Sequence, residues 1–88
     1  MIYPIQIRAA RALIAMSQLE LARASKVGLA TIKRIEASGP EPSGNVQTLV
    51  RIRRALEEAG VTFIDESDDI GVGVRLRKRF PLQPRAMP

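Results

Sequence analysis

Apolar residues recur at helical spacing from the start of the chain: Ile7, Ala10, Leu13 and Ile14, with Arg8 and Arg11 between them. Steps of three and four put them on one face and predict a first helix from about Pro4 to Met16. Pro4 is tolerated in the first turn, where its missing N–H has no partner to lose. Ser17 then fits an N-cap, and Glu20 lies three residues on, so each side chain can bond the other's backbone N–H. A second helix follows from about Gln18 to Ser25, turning Leu21 and Ala22 inward. Lys26-Val27-Gly28 reads as a turn. A third helix runs from about Leu29 to Ala37 and buries Ile32 and Ile35.

Gly39-Pro40-Glu41-Pro42-Ser43-Gly44 cannot continue that helix, since proline lacks the donor and glycine loses entropy. Ser43 or Asn45 can cap a fourth helix from about Val46 to Ala59, with the stripe Leu49, Ile52, Leu56 and a glycine, Gly60, just past its end. The period then changes. Val61-Thr62-Phe63-Ile64 and Val72-Gly73-Val74-Arg75-Leu76 read as two short strands, linked as a hairpin by the acidic segment Asp65 to Gly71. A lone hairpin is marginal in water. It must pack on the helices through Phe63 and Leu76, or pair with another chain. The expected organisation is a helical domain over 1–60, a β-hairpin appendage over 61–77, and a basic, proline-containing, loosely ordered tail over 78–88.

Composition narrows the chemistry. The chain has 88 residues and a net charge of +5, one small domain without room for an enlarged catalytic cleft. It has no cysteine and no histidine, which removes disulfides, the usual zinc ligands and histidine general bases. No apolar run approaches the ~20 residues of a membrane span, and no signal-peptide pattern opens the chain. A cytoplasmic, nucleoid-associated protein is expected. The charge is uneven: net +4 over 1–60, −4 over 61–74 and +5 over 75–88. A solvated surface is the plain explanation; for a small basic domain, contact with nucleic acid is the stronger one.

The segment from Ser17 to Glu36 has the build of a helix-turn-helix. In that unit one helix crosses the DNA backbone and props the next in the major groove. Small or apolar residues must lie inside and polar ones outside. Leu21, Ala22, Val27, Ile32 and Ile35 go in; Gln18, Arg23, Thr31, Lys33 and Arg34 stay out. Ser17-Gln18-x-Glu20-Leu21-Ala22 followed by Thr31-Ile32-x-x-Ile35-Glu36 resembles the lambda-repressor-like (Cro/Xre) helix-turn-helix family of small bacterial or phage-type regulators. The resemblance covers roughly residues 5–60. It implies a mainly α fold of four to five helices, to which the short C-terminal β-hairpin is added.

The resemblance also implies roles. Gln18 would hold a phosphate and buttress the recognition helix. Leu29 and Ala30 fall where base-edge readers usually sit, and could contact a thymine methyl or simply be surface. Arg34, one turn on, could take guanine in a bidentate contact, with a phosphate contact as the rival. Thr31 and Lys33 would touch phosphates, which position without reading sequence. Arg11 and Glu36 would form a structural ion pair. Three positions depart from the family pattern. Lys26 replaces the usual turn glycine, at a position expected to need a left-handed backbone costing ~1–2 kcal/mol. Gly28 replaces the usual Ser or Thr cap. Glu41 stands in a loop that is often basic.

The expected function is therefore a DNA-binding transcriptional regulator on double-stranded DNA, acting as a homodimer through the hairpin edge or the fourth helix. The alternative is a helix-turn-helix scaffold that binds a protein partner, an antitoxin or co-regulator, which the apolar Leu29 and Ala30 and the acidic Glu41 favour. No enzyme activity, cofactor or metal is expected: there is no nucleophile–base pair and no phosphate-binding glycine motif. Asp65, Glu66, Asp68 and Asp69 lack the regular spacing of a calcium loop and read as a solvated turn.

Overall fold

The computed structural model describes residues 1–77; the tail expected over 78–88 lies outside the described residues. Six elements follow in order: α1 (Pro4–Ile14), α2 (Gln18–Ser25), α3 (Leu29–Glu36), α4 (Val46–Glu58), β1 (Val61–Ile64) and β2 (Gly73–Leu76). The domain is mainly helical with a two-stranded antiparallel hairpin. Among the described residues there are four helices, the lower of the two numbers expected.

Local chemistry sets the helix ends. α1 stops two residues before Met16, because Ala15 turns left-handed at φ 54° and the Met16 N–H bonds back to the Arg11 carbonyl at 2.9 Å. Ser17 and Glu20 form the reciprocal cap: Ser17 Oγ accepts from the Glu20 N–H at 2.9 Å, and Glu20 Oε1 accepts from the Ser17 N–H at 2.8 Å. α2 ends where Lys26 takes φ 60°, the left-handed turn expected of it. α3 ends at Glu36 and α4 at Glu58, each one residue short of the expected limit. Of the two candidate caps for α4, Asn45 acts: its Oδ1 accepts from the Thr48 N–H at 2.8 Å.

The core joins the four helices and β1: Ile2 ahead of α1, Ile7, Ala10 and Ile14 from α1, Leu21 and Ala22 from α2, Val27 from the turn, and Ile32 and Ile35 from α3. Leu49, Ile52, Ala55 and Leu56 from α4 and Val61 and Phe63 from β1 complete it. Leu13 does not belong to it. It is 41% exposed, since the buried face runs through Ile7, Ala10 and Ile14 and leaves Leu13 on its flank. Ile2 and Pro4, ahead of the periodic stretch, are buried instead.

The hairpin packs on its own helices. Val61 pairs with Leu76 and Phe63 with Val74, and these four side chains form its inner face. β2 begins at Gly73, one residue later than expected. Gln6, on the first turn of α1 and 2% exposed, clamps the loop end: its Nε2 donates to the Ile64 carbonyl at 3.2 Å and the Gly73 carbonyl at 2.9 Å. Its Oε1 accepts from the Tyr3 N–H at 2.9 Å, so the buried amide is satisfied at both ends. Arg53 of α4 lies over the Phe63 ring, 5.2 Å from its centre.

Candidate nucleic-acid interface

α2, the turn at Lys26-Val27-Gly28, and α3 form the two-helix unit. Val27 is buried between the helices, while Gly28 caps α3 through its backbone alone, with no side-chain bond. On α3, Ile32, Ile35 and Glu36 point inward. Ala30, Lys33 and Arg34 are exposed and Thr31 is half-buried. The two cations therefore stand on the side opposite the packing face. Among the described residues neither Lys33 nor Arg34 is ion-paired. Leu29 differs from Ala30: it is half-buried and packs against the core, so its side chain has a structural task at the helix start.

Glu36 ties three helices together. It is only 4% exposed. Its Oε2 accepts from Arg11 Nε at 2.7 Å and its Oε1 from Arg11 Nη2 at 2.8 Å, a side-on two-bond pair. Its Oε1 also accepts from Gln18 Nε2 at 3.1 Å. Arg11 Nη1 donates to the Met16 carbonyl at 3.0 Å, and Arg8 donates to the backbone carbonyl of Glu36 itself. The last turn of α3 is thus bonded to α1 through Arg8 and Arg11 and to the first residue of α2 through Gln18. The hydrogen bond and charge of Glu36 outweigh partial burial and raise the Arg11 pKa above its already high value, so Arg11 stays charged.

Of the site residues expected from sequence, Ala30, Lys33 and Arg34 share the outer face of α3, with Thr31 at its margin. Gln18 is directed at Glu36 and not outward alone, but its Nε2 carries a second hydrogen free of that bond. Glu41 is exposed in the loop after α3. Sequence reasoning missed Arg8, whose bond to the α3 terminus spans 28 positions and has no local signature. It also passed over Arg51 and Arg54. With Lys26 they line a shallow groove between the end of α2 and α4, floored by Ala24 and Ala55. Their spacing of three on a helix was a usable signal.

Among the described residues, no group of three or more metal-ligating side chains converges, and no helix is long and apolar enough to cross a membrane. Asp65, Glu66, Asp68 and Asp69 are all exposed around a turn closed by paired bonds between Ser67 and Ile70. Compared with known proteins, the chain matches no family profile and no curated protein.

Proposed function

We propose that the chain is a DNA-binding transcriptional regulator of the lambda-repressor-like (Cro/Xre) kind, placing α3 in the major groove and acting as a homodimer on double-stranded DNA in the cytoplasm. The observation that carries this reading is the outer face of α3. It presents Lys33 and Arg34, neither ion-paired among the described residues, on a helix whose far end is bonded to both neighbouring helices through Glu36. A reading helix needs that combination: free cations toward the ligand and a backbone held at a fixed angle.

The roles follow from reach. Arg34 is the base reader, through the two acceptors of a guanine edge. Ala30 is small enough to let the helix approach and can touch a thymine methyl. Lys33, Thr31 and the second amide hydrogen of Gln18 hold phosphates and set register. Leu29 supports the helix start from below. The mechanism requires no cofactor, metal or bond-making step.

A protein-interaction module is the second reading, favoured by the exposed Ala30 and Glu41 and by Leu19, which is 44% exposed on α2. Salt separates the two. Each phosphate contact releases a counterion, so affinity for duplex DNA should fall on the order of 10³-fold between ~50 and ~200 mM salt for about six contacts. Binding by fluorescence anisotropy measures this. Absence of duplex binding at low salt puts the interaction reading ahead.

A further inference from the structure

The groove between the end of α2 and α4 is a second basic surface, and the reading of α3 gives it no task. Lys26, Arg51 and Arg54 stand exposed on its walls, with Glu58 the one acid among its lining residues. Among the described residues none of these three cations is ion-paired. The floor is apolar: Ala24 and Ala55 line a space of about 290 Å³. The hairpin turn has the opposite build. Asp65, Glu66, Asp68 and Asp69 are exposed, and Ile70 beside them is 61% exposed. Paired bonds between Ser67 and Ile70, at 2.9 and 2.6 Å, hold the turn in one shape.

We infer that the acidic turn of one copy docks in the basic groove of the next, a head-to-tail contact between unlike surfaces. Three features match. The four carboxylates of the turn meet Lys26, Arg51 and Arg54 of the groove. Ile70 meets the alanine floor and leaves water there. The turn needs no ordering on docking, because its own bonds are already made. The two surfaces do not meet within one copy. The hairpin packs on the side of α4 that carries Arg53, which stands 5.2 Å from the Phe63 ring centre, whereas Arg51 and Arg54 border α2. Nucleic acid fits the groove less well. Its phosphates draw on cations alone, find no partner in the alanine floor and are repelled by Glu58.

This contact differs from a two-fold homodimer and does not depend on the DNA reading. Every copy offers one turn and one groove, so pairing continues from copy to copy until a ring closes or a filament grows. Salt sets the conditions. Copies with a net charge of +5 repel at a distance. At ~0.1 M salt that repulsion is screened beyond ~10 Å, while pairs in contact are screened less. At ~1 M salt the screening length falls to ~3 Å and the contact pairs weaken as well.

Sedimentation equilibrium of the full chain without DNA, at ~0.1 M salt and over a range of loading concentrations, tests the contact. The wild-type mean mass should keep rising with concentration past the dimer, and association should weaken ~10-fold or more at ~1 M salt. Asp65→Lys, Glu66→Lys and Asp69→Lys together make the turn basic; Asp68 stays, because few side chains accept its φ of 40°. Arg51→Glu with Arg54→Glu makes the groove acidic. Each variant alone opposes like charges and should associate ~100-fold more weakly. An equimolar mixture of the two should recover the assembly, since every turn then finds a groove of opposite charge. Should a reversal lose its helical circular dichroism, glutamine at the same positions takes its place and should weaken association ~10-fold. A wild type that stops at a monomer or a dimer overturns the inference, and a dimer leaves the homodimer standing alone. A variant that associates like wild type overturns it too, as does a mixture that stays apart. Without growth past the dimer, loss of duplex binding in the groove variant gives the groove to nucleic acid.

Discussion

Arg11 and Glu36, 25 positions apart, meet side-on through two bonds of 2.7 and 2.8 Å, and the carboxylate is the more buried partner. That asymmetry sets the consequences of breaking the pair. Arg11→Ala leaves a carboxylate with 4% exposure facing only the Gln18 amide, and should destabilise the fold by ~3–5 kcal/mol. Glu36→Ala leaves an arginine that is 20% exposed and still bonded to the Met16 carbonyl, so its cost should be smaller. Urea unfolding of both variants and the double variant measures the difference. Equal costs would mean that burial of Glu36 is not the source.

Gln18 gives a second check on the same junction. Its Nε2 sits 3.1 Å from Glu36 Oε1, so Gln18→Glu sets two carboxylates against each other. Gln18→Ala only removes a bond to a charged group, worth ~1.5–3 kcal/mol. The glutamate variant should be the less stable of the two near neutral pH and should recover as the pH is lowered through the carboxylate range. A glutamate variant as stable as wild type would remove Gln18 as a buttress.

Two non-glycine residues close helices in the left-handed region, Ala15 at φ 54° and Lys26 at φ 60°. Glycine at either position relieves ~1–2 kcal/mol of steric cost and adds back ~0.5–1 in unfolded-state entropy. Ala15→Gly and Lys26→Gly should each therefore raise stability by about 0.5–1 kcal/mol, read as a shifted urea midpoint with unchanged slope. The gain at Lys26 should come without loss of duplex binding.

The hairpin depends on Gln6. Gln6→Leu removes the donor shared by the Ile64 and Gly73 carbonyls. Hydrogen exchange should then speed up in β1 and β2 while α2 and α3 keep their protection. Uniform loss of protection would show that the hairpin and helices unfold as one unit.

What was legible in the sequence is local. The helix order, the Ser17–Glu20 cap and the left-handed Lys26 follow from patterns a few residues long. So does the inward set from Leu21 to Ile35. What was not legible is long-range. Leu13 has the spacing of a core residue, but its face is decided by where α3 and the hairpin sit. Ile2 precedes any period yet fills the core, and Gln6 looks like any polar helix residue until its partners 58 and 67 positions away are known. Arg8 is the same case. At the candidate site, the Arg11–Glu36 pair could be expected only through a family resemblance. The half-burial of Leu29 needed the packed structure, because exposure at the first residue of a helix depends on the angle at which that helix enters.

The central claim is that the outer face of α3 reads duplex DNA, and selection from a random duplex library with wild type and Arg34→Ala tests it most directly. The account predicts an enriched two-fold repeat for the wild type. In the Arg34→Ala selection, preference should relax at one position in each half-site, a loss of ~1–3 kcal/mol of discrimination there. A wild-type protein that retains no duplex at low salt and enriches no sequence would contradict it.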